Sequence, residues 1–262
     1  MALALAFHKG EFVPLEEATV GVMTHALHYG TSVFEGIRGN WNPDHNKMYI
    51  FRLQEHLERL VRGSRILCMD LPYSVNQMAD ITVEVVERSG YTEDLYIRPI
   101  AYKATEMVAN LNLRNLKDDL CILAIPFGRY IDNEGAISCC TSAWRRIDDS
   151  MIPPRVKLGG LYLNSILAKT DAMAAGFDEA IMLNLDGHVC EGTGENIFLV
   201  IGDTLVTPTL ESNVLPGITR DTVIELARNE LGIDTVERSV DRSELYLVDE
   251  IFLTGTAAHI QS

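Results

Sequence analysis

Residues 155–200 read RVKLGGLYLNSILAKTDAMAAGFDEAIMLNLDGHVCEGTGENIFLV, and the fold turns on this stretch. It opens on Lys157, flanked by apolar Val156, Leu158 and Leu161, with the glycine pair Gly159-Gly160 close behind. A helical pattern then runs from about Tyr162 to Ala175, with Leu163, Ile166, Leu167, Thr170 and Ala174 on one face. Gly176 stands where a helix-ending glycine belongs. A strand over Ala180–Leu185 reaches Asp186-Gly187, a strong hairpin signal. After a return strand come Glu191, the tight loop Gly192-Thr193-Gly194, and a strand over Asn196–Val200. Helix and strands alternating in this way indicate a mixed α and β domain.

A lysine in a loop is ordinarily solvated. Here the apolar flanks favour desolvation, which lowers a lysine's proton affinity and makes it a nucleophile. The glycines leave room for the backbone to approach a flat ligand. A lysine of this kind attacks carbonyls, as the Schiff-base lysine of pyridoxal phosphate (PLP) does. Glu191 reads either as an exposed turn glutamate or as a carboxylate held against a protonated pyridine nitrogen. Spacing leaves both open.

The motifs K-x-G-G-x-Y, G-F-D-E-A, D-G-x-V-x-E-G-T-G-E-N-I-F and L-P-G-I-T-R-D resemble those of the fold-type IV PLP enzymes, and among them the branched-chain amino-acid aminotransferases. The resemblance covers nearly the whole chain. It implies a two-domain fold of the α/β (α+β) class. A small N-terminal α/β domain takes 1–126, an interdomain loop 127–135, and a larger, β-barrel-like α/β domain 136–262. By this resemblance Lys157 bonds PLP covalently, Glu191 meets the pyridine nitrogen, Tyr162 bonds the phenolic oxygen, and Arg59 in H-x-x-R-L binds phosphate. The helix pattern alone places Arg59 opposite the apolar stripe, as a solvated residue like Arg62. One departure is Leu161, where many members carry Asn.

PLP also needs a dianion site. Pro216-Gly217-Ile218-Thr219 opens a predicted helix, whose amides and dipole favour an anion, with the Thr219 hydroxyl as a further donor. The same residues also read as an ordinary cap with Thr219 as the capping side chain. Gly255-Thr256 offers a second loop of this type. With Leu215 before the cup, and Gly194, Glu195 and Asn196 after Glu191, these complete the cofactor-binding set. Gly192-x-Gly194 is no dinucleotide fingerprint, since it runs into a strand rather than a helix.

On the substrate side, Tyr96 and Arg98 fall on one face of a strand, a pairing suited to a carboxylate. The resemblance adds Tyr29, Phe34, Gly36 and Arg38 from the N-terminal motif, Phe127 and Tyr130 from the interdomain loop, and Thr256 with Ala257 near the substrate α-carboxylate. It implies transamination between branched-chain L-amino acids and 2-oxoglutarate. Competing readings are a D-amino-acid aminotransferase, an (R)-amine transaminase, an aminodeoxychorismate lyase, or a catalytically silent binding protein. Phe34-Glu35-Gly36-Ile37-Arg38 with Tyr96-x-Arg98 favours the branched-chain type.

The chain has 262 residues and a net charge of −15, so nucleic acid and anionic membrane are poor partners. Five cysteines without a C-x-x-C pair speak against a zinc site and for a reducing compartment, and a cytoplasmic location is expected. The first residues, MALALAFHKGEF, lack the basic start of a signal peptide. No run is long enough to span a membrane.

Further expectations follow along the chain. A hairpin turns at Lys9-Gly10, strands cover Val33–Arg38 and Lys47–Phe51, helices cover Leu53–Leu67 and about Ser74–Arg88, and strands cover Leu95–Tyr102 and Leu120–Pro126. The second half begins with a strand over Ile137–Trp144. It carries a helix over Thr219–Leu231 that buries Val223, Leu226, Ala227 and Leu231, then a strand over Glu250–Leu253. Members of the family usually continue past the glycine-threonine turn, so a shortened C-terminus is expected. The family resemblance also implies at least a homodimer.

Overall fold

The computed structural model describes residues 4–128 and 136–262. Tyr130 and most of the expected interdomain loop therefore lie outside the described residues. Two compact units emerge, one of residues 1–128 with 156–160, the other of 129–155 with 161–262. Val156–Gly160, read above with the C-terminal half, packs within the first unit and takes Lys157 with it.

In the first unit the elements are β1 (Leu5–His8), β2 (Glu11–Pro14), α1 (His25–Tyr29), β3 (Ser32–Phe34), β4 (Ile37–Asn42), β5 (Lys47–Ile50), α2 (Leu53–Ser64), α3 (Val75–Ser89), β6 (Leu95–Lys103) and β7 (Asp118–Pro126). The strands form one sheet in the order β2-β1-β7-β6-β4-β5, with β3 also on β6. Lys9 and Gly10 both take positive φ, as a two-residue hairpin turn demands. Ser74 caps α3 in a reciprocal capping box with Gln77, and Gly90 closes the helix in the left-handed region. Alternate residues of β6 and β7 are fully buried, among them Leu95, Ile97, Leu120 and Ile122, while α2 contributes Leu57 and Leu60.

The single strand expected over Val33–Arg38 is two, broken at Glu35-Gly36, and both halves pair with β6. Gly36 explains the break. A β-carbon there would lie 2.1 Å from the Tyr96 hydroxyl oxygen, so only glycine allows the backbone so close to that ring.

The second unit runs β8 (Cys139–Arg145), α4 (Tyr162–Ala174), β9 (Glu179–Leu183), β10 (Val189–Glu191), β11 (Asn196–Ile201), β12 (Thr204–Thr207), α5 (Ile218–Asn229), β13 (Asp234–Glu237), β14 (Glu250–Gly255) and β15 (His259–Gln261). Its strands pair as two sheets, β10-β9-β8 and β13-β12-β11-β14-β15. Ile181, Leu183, Val189, Ile197, Leu199 and Val206 meet in one buried cluster. The alternate residues of the same strands point the other way. Ala180 and Met182 receive Ala168 and Ala172 of α4, and Phe198 and Leu205 receive Ile224 and Ala227 of α5. Burial on both faces explains why, after their polar first residues Glu179 and Asn196, β9 and β11 are unbroken apolar runs.

Both helices have the expected period but a different rotation. In α4 the buried residues are Ser165, Ala168 and Ala172, whereas Leu163 and Ile166 are 62% and 56% exposed. A small-residue face lets that helix lie close on the sheet, and total hydrophobicity misidentifies it. In α5 the buried side holds Ile218, Arg220, Ile224 and Ala227, while Leu226, and Leu231 beyond the helix end, are exposed. Arg220 is tolerated there because its Nη2 donates to the Pro208 carbonyl at 2.9 Å and to Glu237 at 2.8 Å.

Candidate active site

In the first unit, Lys157 lies on a segment that runs beside β3. Phe34 N–H donates to the Lys157 carbonyl at 3.1 Å, Gly159 N–H to the Ser32 carbonyl at 2.8 Å, and Gly160 N–H to the Gly30 carbonyl at 3.1 Å. A β-carbon on Gly159 would meet Ser32 Oγ at 2.2 Å, and one on Gly30 would meet the Gly160 Cα at 2.6 Å. The glycine pair is therefore explained by close packing on the Ser32 side chain and the Gly30 backbone, and the flat-ligand argument is not needed for it. The Lys157 side chain is half-buried, with Nζ 5.2 Å from the centroid of the Phe34 ring.

Beside it, Glu35 is fully buried at the strand break. Arg59 Nε and Nη2 donate to Glu35 Oε1 and Oε2, each at 2.7 Å, and His56 Nδ1 lies 2.8 Å from Oε2. Burial alone would raise the Glu35 carboxyl; the Arg59 charge and the hydrogen bonds of Arg59 and His56 overcome it and hold the group down at about 2. Burial pushes the His56 imidazole down, against the pull of Glu35, so a neutral ring donating from Nδ1 is the consistent state. Arg59 is thus mostly buried and gripped by a carboxylate, unlike Arg62, which is exposed. The apolar stripe of α2 had placed both in solvent. Its error for Arg59 comes from Glu35, a partner far away in sequence.

On β6, Arg98 Nη2 donates to the Tyr96 hydroxyl at 2.7 Å, and its guanidinium stacks 4.3 Å above the Phe34 ring centroid. Arg38, almost wholly buried, donates from Nη1 to the Phe127 carbonyl at 3.3 Å and the Gly128 carbonyl at 3.1 Å. Phe127 packs its ring against Tyr96. Phe34, Gly36, Arg38, Tyr96, Arg98 and Phe127 therefore form one cluster. Tyr29 stands outside these contacts. It is exposed, and its hydroxyl accepts from Ala109 N–H at 2.9 Å.

In the second unit, Glu191 ends β10 and is buried, which removes the exposed-turn reading. Arg146 Nη2 lies 2.8 Å from its Oε1; Oε2 accepts from Leu215 N–H at 3.0 Å and from Asn196 Nδ2 at 3.2 Å. The same Asn196 amide donates to the Leu215 carbonyl at 2.9 Å. Two residues further on, Gly217 is the N-cap of α5, and no side chain caps the helix. Thr219 is inside the first turn, so the ordinary-cap reading of that hydroxyl falls. A β-carbon on Gly217 would sit 2.0 Å from Asn196 Oδ1, which keeps this approach to glycine.

The loop after Glu191 is built from its own contacts. Gly192 N–H donates to the Glu195 carbonyl at 2.7 Å, and Glu195 Oε2 accepts from Gly194 N–H at 3.0 Å. Thr193 Oγ donates to Glu179 at 2.7 Å, and Lys169 Nζ pairs with Glu179 at 2.6 Å. Burial pushes the Glu195 carboxyl up to about 7, with the Glu179 charge adding to it. Asn196 pairs with Thr254 across β11 and β14, which brings Gly255 beside Gly194. Thr256 and Ala257 follow in the turn to β15, and Tyr162 opens α4, half-buried.

The amino-transferase class IV family matches residues 32–262. The chain belongs to that family. A probable branched-chain-amino-acid aminotransferase of Aquifex aeolicus is 46% identical over 99% of this chain and 83% of its own length. A branched-chain aminotransferase structure from Thermoproteus uzoniensis, solved with norvaline, superposes with a TM-score of 0.94 at 46% identity, covering 99% of this chain and 86% of that one. One from Thermobaculum terrenum, in its PLP form, gives 0.90 at 39% identity over 99% and 84%.

The class IV aminotransferases use PLP, and the residues here fit it. A buried carboxylate paired with an arginine suits a protonated ring nitrogen, and an N-terminus of α5 without a side-chain cap suits a phosphate. Sequence reasoning passed over Arg146, Glu35 and His56 as functional residues. Glu35 stood inside one quoted motif and His56 and Arg59 inside another, H-x-x-R-L, but no local pattern paired them. Nothing local marked Arg146.

Proposed function

We propose that this chain catalyses transamination between branched-chain L-amino acids and 2-oxoglutarate with PLP as cofactor. One observation carries the reading. In the second unit a single asparagine, Asn196, joins the buried Glu191 carboxylate to Leu215, at the entrance to the uncapped end of α5. A group for a ring nitrogen and a cradle for a phosphate are thereby built into one scaffold. The aminotransferase relatives, similar over almost all of this chain, support the same reading.

PLP, when bound, supplies an electron sink for the charge left when a substrate α-proton departs. Lys157 Nζ would tether the cofactor when it is bound and would serve as the base that moves the substrate α-proton. Glu191 holds a proton on the ring nitrogen, and Tyr162 bonds the phenolic oxygen. In the second unit Ile218 and Thr219 are assigned to the phosphate; in the first unit Arg59, whose fork is set by Glu35, is assigned to it as well. Leu215, Gly217, Gly194, Glu195, Asn196 and Gly255 shape the support beneath.

For the substrate, Phe34 and Phe127 give an apolar wall; Tyr130, assigned to the same role, lies outside the described residues. Arg98 and Tyr96 meet the distal carboxylate of glutamate, while Thr256 and Ala257 meet the α-carboxylate. Gly36, Arg38 and Tyr29 complete that side. The protein works in the cytoplasm as at least a homodimer. Among the described residues no helix is long and apolar enough to cross a membrane.

The test is a panel of half-reactions followed by absorbance, with L-leucine, L-glutamate, D-alanine and (R)-phenylethylamine. L-leucine and L-glutamate should bleach the bound cofactor. A response confined to D-alanine or the amine would defeat the branched-chain assignment.

A further inference from the structure

Arg146 follows β8 and is 5% exposed, as is Glu191. It is anchored at three points. Its N–H donates to the Leu183 carbonyl at the end of β9 at 2.8 Å, Nη1 reaches Ser165 of α4 at 3.4 Å, and Nη2 pairs with Glu191 at 2.8 Å. Its Nε is buried without a hydrogen-bond partner among the described residues. That is an expensive placement for a guanidinium if its task were only to tie three elements together, which an apolar residue of similar volume does as well or better.

The Glu191 contacts show what the charge is for. Leu215 N–H and the Asn196 amide are uncharged donors and fix where the carboxylate points. Arg146 brings the positive charge. A carboxyl this deeply buried is driven toward its neutral form by desolvation, and a cation at hydrogen-bond distance opposes that. Arginine does not surrender its proton in proteins, so the opposition holds at every working pH. Two other titratable groups feel the Glu191 charge: the Cys190 thiol, raised by burial and then by Glu191, and the Glu195 carboxyl. Both shifts favour their uncharged forms, and Arg146 is a permanent positive charge in direct contact with Glu191.

We propose that Arg146 is a positioning residue that keeps Glu191 ionised and thereby places the proton of the Glu191–pyridine pair on the PLP nitrogen. This rests on the PLP reading above. One proton is at issue, on a Glu191 oxygen or on the ring nitrogen, and no other reactant is needed. Arg146 bonds the carboxylate directly and stands further from whatever lies beyond it. Its field therefore stabilises the carboxylate more than it repels a ring cation.

The experiment is nitrogen NMR of the holoenzyme reconstituted with isotopically labelled PLP, on the wild type, Arg146→Met and Arg146→Lys. The wild type and Arg146→Lys should show a protonated ring nitrogen near neutral pH. Arg146→Met should move that resonance to the hydrogen-bonded, unprotonated position and slow the L-leucine half-reaction by about a hundredfold, the scale of losing one charge-stabilising group. A protonated resonance in Arg146→Met overturns the proposal, and a strut alone would lower PLP occupancy without moving the signal. If Arg146→Met does not fold, Arg146→Lys carries the test. Its ammonium can deprotonate, so its ring proton should be lost about one pH unit or more below the wild-type titration; identical titrations overturn the proposal. A wild type that binds no PLP overturns the functional reading before any variant is compared, and this proposal with it.

Discussion

Glu35→Gln separates charge from shape in the buried trio of Glu35, His56 and Arg59. Glutamine keeps the volume and mimics the protonated acid. Holding a carboxyl at about 2 rather than its ordinary 4.5 corresponds to about 3 kcal/mol of stability, at about 1.4 kcal/mol per tenfold change in proton affinity. Glu35 is fully buried, so solvent screening takes little from that figure. The folded-state value is depressed, so the contribution is complete above the unfolded value of 4.5 and is lost as pH falls toward 2. The assay is the urea midpoint of wild type and variant at constant ionic strength, from about pH 7 to about pH 3. The variant should be less stable by about 3 kcal/mol or more near neutrality, since Arg59 is left without its counter-charge. The gap should shrink to less than half by about pH 3. A gap independent of pH would show that Glu35 is not ionised in the folded protein and would refute the reasoning.

Lys157→Ala should abolish steady transamination while PLP still binds non-covalently; borohydride reduction followed by peptide mapping checks this, and a reduced adduct on another lysine with normal turnover would remove Lys157 from its role. Arg98→Leu should raise the KM for glutamate and 2-oxoglutarate by about 1.5–3 kcal/mol in free-energy terms and leave the leucine half-reaction much closer to wild type; equal losses would place Arg98 elsewhere. Gly217→Ala puts a methyl 2.0 Å from Asn196 Oδ1 and should weaken PLP binding by about 1–3 kcal/mol while affecting phosphate-free pyridoxal less, as equilibrium dialysis would show. Sedimentation at micromolar concentration should give a dimer or larger, consistent with the exposed Leu163 and Ile166 of α4; a fully active monomer would contradict it.

Local signals in the sequence were sufficient wherever the cause was local. Asp186-Gly187 and Lys9-Gly10 mark turns by backbone conformation, and each is where it was read. The motif around Glu191 was legible as chemistry because the residue types are unusual together. What the sequence concealed depends on partners far along the chain. The rotations of α4 and α5 are set by the sheets they cover, and a face of Ser165, Ala168 and Ala172 carries too little hydrophobicity to announce itself. Arg59 and Arg62 are indistinguishable by helical period, yet one meets Glu35 and the other meets water. The Gly159-Gly160 pair suggested ligand access, whereas its neighbours are Ser32 and Gly30.

The five residues Val156–Gly160 have a consequence for synthesis. They cover Val33 and lie against Gly63, where a β-carbon would come within 2.9 Å of Val156. A ribosome releasing this chain exposes all the strands of the first sheet well before it releases that cover. The first unit therefore waits, with one flank of β3 bare, until residue 160 has left the exit tunnel. An excised piece ending at Gly128 would remain in that unfinished state, prone to pair its open strand with a neighbour. Completing the first unit and delivering Lys157 are thus a single event in the life of the chain.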